Sequence, residues 1–220
     1  MHDKKNNRIS AEQNRAWIRK ISFGGLLLSI GIVLPQVFHL TGGPTSGATF
    51  LPMHIPVLIA GLLLGPVFGA GIGAITPIIS SMMTGMPPAA RMPFMVAELA
   101  IYGLVAGLLY HALGLCRFRF PRRATPEARP DVTDPERLIG LYISLILAMF
   151  AGRVVYALSL LAMNRLFGLE NADPASVWAA IVFGIIGIAI QIVIIPPIIF
   201  ALQKGGLTNG LFKKGRPQAQ

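Results

Sequence analysis

The chain has 220 residues, 54% of them hydrophobic, and a formal net charge of +10. Its mean hydropathy of +0.65 is too high for a soluble domain of this size. A nucleic-acid partner is excluded as well, because the basic residues flank hydrocarbon-length apolar runs instead of forming a face interleaved with aromatics, which suits membrane lipid.

Sixteen of the nineteen Lys and Arg residues lie in three places: Lys4, Lys5, Arg8, Arg15, Arg19 and Lys20; the stretch Arg117 to Arg137; and Lys204, Lys213, Lys214 and Arg216. Loops on the cytoplasmic side of a membrane retain positive charge, so all three segments are expected inside, separated by even numbers of crossings. The expected fold is an all-α integral membrane protein with six transmembrane helices and both termini cytoplasmic. Residues 1–20 form a basic N-terminal segment, 21–203 the membrane domain with a cytoplasmic linker at 115–137, and 204–220 a basic tail.

The N-terminal region lacks a secretory signal pattern: Asp3 and Glu12 sit among the bases and no small-residue cleavage site follows. Ser10-Ala-Glu-Gln13 reads as a capping box opening a short basic helix, with Trp17 at headgroup level. Apolar segments follow at 21–40, 53–64, 67–84, 92–113, 138–166 and 176–203. A spanning helix needs about 20 residues, which four of these meet and the third nearly reaches. The second is short and bounded by Pro52, Pro56 and Gly65-Pro66. It is either a short spanning helix shielded by its neighbours, the reading preferred here, or half of a re-entrant hairpin. The linker, with Pro121, Pro126, Pro130 and Pro135, reads as mobile. The expected outer loops are 41–52, 85–91 and 167–175, the last carrying Glu170 and Asp173. They are either bare connectors or a lid. No internal repeat is evident, which argues against an inverted-repeat transporter.

Small residues recur four apart: Gly25 and Ser29; Gly61, Gly65, Gly69 and Gly73; Gly103 and Gly107. Membrane helices approach closely at such positions. Any one pair fits internal packing, whereas their density in the first three segments suggests a surface that lies against another helical protein.

A charge at mid-bilayer costs about 2.5–3.5 kcal/mol on insertion scales and demands a partner or a cavity. Glu98 falls early in the fourth segment, with Arg91, Met95 and Tyr102 on its face at helical spacing. Arg153 lies midway along the fifth, with Tyr156 and Asn164 on its stripe, and Gln191 midway along the sixth. Counted from the segment ends, Glu98 and Arg153 differ in depth by roughly two turns, which makes a direct ion pair awkward. A structural pair and a polar solute pocket, with Tyr102, Tyr156 and Trp178 as stacking surfaces, both use these residues. His54 and His39 near the outer ends read either as interfacial hydrogen bonders or as ligands. The chain lacks a His-Glu-x-x-His pair, a Gly-x-Ser-x-Gly elbow and a Walker A loop, and Cys116 is alone. Neither an enzyme, a resident cofactor nor a metal site is expected.

In order and spacing, the chain resembles the substrate-binding S components of energy-coupling factor (ECF) vitamin transporters. The resemblance rests on the runs GLLLSIGIVLP (25–35), LPMHIPVLIAG (51–61), GPVFG (65–69), PIISSMMTGMPP (77–88) and AGRVVY (151–156), and covers roughly residues 21–203. It implies six helices with both termini inside and a solute site opening outward, lined by the outer loops and helices four to six. The site residues expected from this reading are Glu98, Arg153, Tyr102, Arg91, Tyr156, Asn164, Gln191 and His54. The resemblance also implies partners: a transmembrane coupling (T) subunit that docks on the first three helices, and two ABC-type ATPases that hydrolyse the ATP. Gly25 and Ser29 stand where the family's docking helix usually has two alanines. Capture outside followed by toppling in the membrane, reset by the ATPases, is the implied cycle, in the plasma membrane of a prokaryote. The polar residues suit a pyridoxine-, pyrimidine- or ribazole-like heterocycle, pantothenate or a deazapurine. A self-sufficient small oligomeric transporter, or an intramembrane enzyme or scaffold, are the alternatives.

Overall fold

The computed structural model describes residues 2–42, 50–112, 135–167 and 174–204, and all the regular structure among them is helical. Among the described residues six α-helices have defined bounds: α1 (His2–Gly42), α2 (His54–Leu64), α3 (Pro66–Thr84), α4 (Met92–Gly107), α5 (Pro135–Phe167) and α6 (Pro174–Lys204). A π-helical turn, Leu108–Ala112, extends α4. The body of the expected linker, the tail beyond Lys204 and the loop with Glu170 and Asp173 lie outside the described residues.

Among the described residues five stretches are long and apolar enough to cross a membrane: Asn14–Gly42, Pro66–Thr84, Met92–His111, Leu138–Ala162 and Gly184–Lys204. Their outward faces carry large apolar side chains, such as Phe150 at 68% and Val193 at 69% exposure. Water would penalise that surface and lipid does not. The interior holds an apolar core built on Leu58, Leu62, Leu99, Leu145 and Ile195, while buried Thr76 and Ser144 bond back to the carbonyls of Ile72 and Gly140 on their own helices.

The basic N-terminal segment is not a separate short helix. α1 runs unbroken from His2, so Ser10 lies inside it and does not open it. Ser10 through Ile21 contains neither Gly nor Pro, so nothing stops propagation. Gly24, Leu27, Gly31 and Pro35 form the buried stripe of α1, and a side chain on Gly31 would come within 2.8 Å of Thr76. Gly25, Leu26, Ser29 and Val33 face away.

The short α2 has 11 residues, about 16 Å of helix, and all but Ile55 are buried among its neighbours. Its N-terminus is set by Leu51, which adopts the left-handed φ of 49° and accepts the His54 amide at 3.1 Å. Its C-terminus is set by Gly65, at φ 99°, followed by Pro66. The carbonyl of Leu62 would normally receive the amide of residue 66, but proline has none. His111 Nε2, brought in by the π-helical turn, takes that place at 2.7 Å.

Helices α2, α3 and α4 meet backbone to backbone. A Cβ on Gly61 or Gly69 would strike the Gly103 carbonyl, and one on Gly103 would strike Gly69. Gly73 meets Leu99, and Gly107 meets Pro66, in the same way. The small-residue spacing at 61, 69, 73, 103 and 107 therefore serves internal packing, and no free docking face is built from it. Gly25 differs, since nothing lies within 4 Å of its Cβ direction. At the far end of α3, Gly85 caps the helix at φ 71°, and the Ser80 and Ser81 hydroxyls each donate at 2.7 Å to the carbonyls of Met86 and Pro87. That ties the 85–91 loop to the helix.

Candidate functional site

The end of the bundle holding Leu51, the start of α2 and the start of α4 carries a buried carboxylate. Glu98 is 2% exposed, and three side chains converge on its Oε1. Tyr102, one turn along α4, donates its hydroxyl at 3.0 Å. Arg153 of α5 places Nη1 at 3.1 Å, and His54 at the head of α2 places Nε2 at 3.7 Å. The His54 ring, itself 2% exposed, stands edge-on to Tyr102 with centroids 5.1 Å apart. Three helices thus contribute to one cluster.

The direct pair corrects the depth expected from counting. Tyr102 packs on Gly152, Glu98 meets Arg153 and Phe94 meets Tyr156, which fixes an antiparallel register of α4 and α5. α5 has 33 residues against 16 in α4. It overshoots the start of α4, so its midpoint falls level with the first turns of its partner.

Two glycines make the room. A Cβ on Gly152 would come within 2.6 Å of the Tyr102 ring, and one on Gly184 of α6 would overlap the Arg153 guanidinium. The side chain of Leu51 lies 3.5 Å from the same Gly184 position. Leu51 is also the anchor for Gln191, whose amide donates to its carbonyl at 3.3 Å. Leu51, Gly152 and Gly184 escaped the sequence reading. Only the glycines left a signal there, as glycines interrupting helical runs.

The expected site residues divide accordingly. Glu98, Arg153, Tyr102 and His54 come together. Gln191 joins through Leu51. Tyr156 stacks edge-on to Phe94 at 6.4 Å, within electrostatic range of Arg91, Arg153 and Glu98. Arg91 is exposed at the N-cap of α4. Asn164 lies on α5, but its side chain, like that of Trp178, falls outside the described residues. Gly25 and Ser29 are on the outside of α1, with the Ser29 hydroxyl bonded to the Gly25 carbonyl at 2.9 Å.

A buried ion pair by itself needs no function beyond holding helices in place. Here polar atoms are left over. Arg153 Nε and Nη2 and both ring nitrogens of His54 are buried without a hydrogen-bond partner among the described residues. Each such atom costs about 1–3 kcal/mol unless something completes it. The cluster can hold polar or charged groups of a guest. Among the described residues no group of three His, Cys, Asp or Glu side chains is placed to hold a metal.

A family model described as "ECF transporter, substrate-specific component" matches residues 19–199. No curated protein and no solved structure matches the chain.

Proposed function

We propose that this chain, which belongs to the family of substrate-specific components of ECF transporters, captures a water-soluble vitamin or vitamin precursor at the Glu98 cluster. Membership makes it a substrate-binding subunit of a multi-pass membrane transporter. The observation that carries the site assignment is the surplus of buried, unbonded nitrogens on Arg153 and His54 around one buried carboxylate. A purely structural pair has no use for them. Glu98 orients Arg153 and His54, Tyr102 fixes the carboxylate, and Tyr156 with Phe94 offers an aromatic wall for a planar ring.

In this reading α2 is the sixth pass, shortened because neighbouring helices shield it from lipid. The basic segments face the cytoplasm of a prokaryotic cell, and the Leu51 end faces outward. The chain supplies no ATP-hydrolysing motif, so a T subunit and two ABC-type ATPases drive import. The apolar outer face of α1 around Gly25 and Ser29 is where the T subunit docks. Uptake of a solute retained by the purified protein, measured in cells with and without the coupling and ATPase subunits, tests this. Uptake is expected to vanish without them. Persistence would instead identify a self-sufficient transporter.

A further inference from the structure

We infer that the captured solute carries a carboxylate and that this carboxylate seats on the Nε–Nη2 edge of Arg153. This rests on the substrate-binding reading and narrows it to one class of solute.

A guanidinium offers its donors in a planar fork, and the edge made of Nε–H and one Nη–H matches the two oxygens of a carboxylate. In this protein Arg153 spends the other nitrogen, Nη1, on Glu98. That contact fixes the side chain and leaves the fork edge with no acceptor among the described residues, although both atoms are buried. The room Nη2 occupies comes from Gly184, which has no side chain to offer in return. The Glu98 contact and the packing at Gly184 hold the fork edge in place, and no hydrogen bond among the described residues engages it. His54 adds an independent pointer. It is 98% withdrawn from solvent at 2% exposure, its Nε2 approaches the same carboxylate oxygen as Arg153, and neither ring nitrogen is bonded among the described residues.

A neutral or cationic solute leaves the Arg153 fork unpaired in a medium of low dielectric, whereas a carboxylate pairs both of its donors.

The test starts from purified protein in detergent, incubated at pH 7 with the small-molecule filtrate of yeast extract, washed, and the retained solute identified by mass spectrometry. A solute bearing a carboxylate is expected, with the methyl ester of that group binding at least about tenfold more weakly. Arg153→Lys keeps the charge and loses the fork, and should weaken the acid by about tenfold while leaving the ester unchanged. Because removing Arg153 alone strands Glu98, the double variant Glu98→Gln/Arg153→Gln serves as the folded control, and in it acid and ester should bind alike. A neutral or cationic solute, a lipid phosphate held in its place, equal binding of acid and ester by the parent protein, or discrimination that survives in the double variant overturns the inference. Retention of a neutral or cationic solute leaves the substrate-binding reading standing, whereas retention of nothing removes both.

Discussion

Replacing Gly103 by alanine should destabilise the bundle, while the same change at Gly25 should not, although the two glycines look alike in sequence. A Cβ on Gly103 would overlap the Gly69 carbonyl and lie 2.8 Å from Gly69 Cα. Backbone atoms cannot rotate away as side chains do. α3 and α4 must part by about 1 Å, a gap that forfeits roughly a quarter to a half of the dispersion energy of each affected contact. Overpacking of this kind costs about 1–3 kcal/mol, against which the better helix propensity of alanine returns about 0.5–1 kcal/mol. The net expectation is a loss within about 0–2.5 kcal/mol, centred near 1. At Gly25 nothing lies within 4 Å, so only the propensity gain remains. Reversible unfolding in mixed detergent and SDS micelles measures both variants against the parent. Equal shifts, or a stable Gly103→Ala, would refute the packing argument.

Gly25→Leu should abolish copurification with a T subunit while leaving solute affinity intact; unchanged copurification removes the docking assignment. Glu98→Gln and Arg153→Gln should each cost about 3–5 kcal/mol of stability, because each strands a buried partner, while the double variant costs far less than their sum; additive losses in the same unfolding assay would show that the pair is not coupled. His111→Leu leaves the Leu62 carbonyl unsatisfied and should cost about 1–3 kcal/mol, and His111→Gln, which restores an N–H donor, should recover part of it. Identical melting of the two His111 variants would show that the contact contributes nothing.

The helices were legible wherever hydropathy and length agree: α3, α5 and α6 begin within three residues of the expected segments. The start of α1 was not. A capping box such as Ser10 to Gln13 is a local preference, and it does not stop a helix already propagating from His2. The charged residues of the site were also legible, because a Glu or Arg inside an apolar run stands out. Their pairing was not, since depth counted from segment ends ignores how far a 33-residue helix overshoots a 16-residue one. The glycine spacing carried no information about which face it served. Residues 61, 69 and 103 meet only in three dimensions, and Gly25 meets nothing within 4 Å. Pro66 announced a turn, but its missing amide is compensated by His111, which lies 49 residues from Leu62. A contact at that separation has no local signature.

The central claim is that solute binds among Glu98, Arg153 and His54. An experimental structure of the protein with its retained solute tests it most directly. Solute density is expected against the free edge of the Arg153 guanidinium and the His54 ring, with the Arg153–Glu98 contact preserved. Solute density elsewhere in the bundle, with that edge still unoccupied, would contradict it.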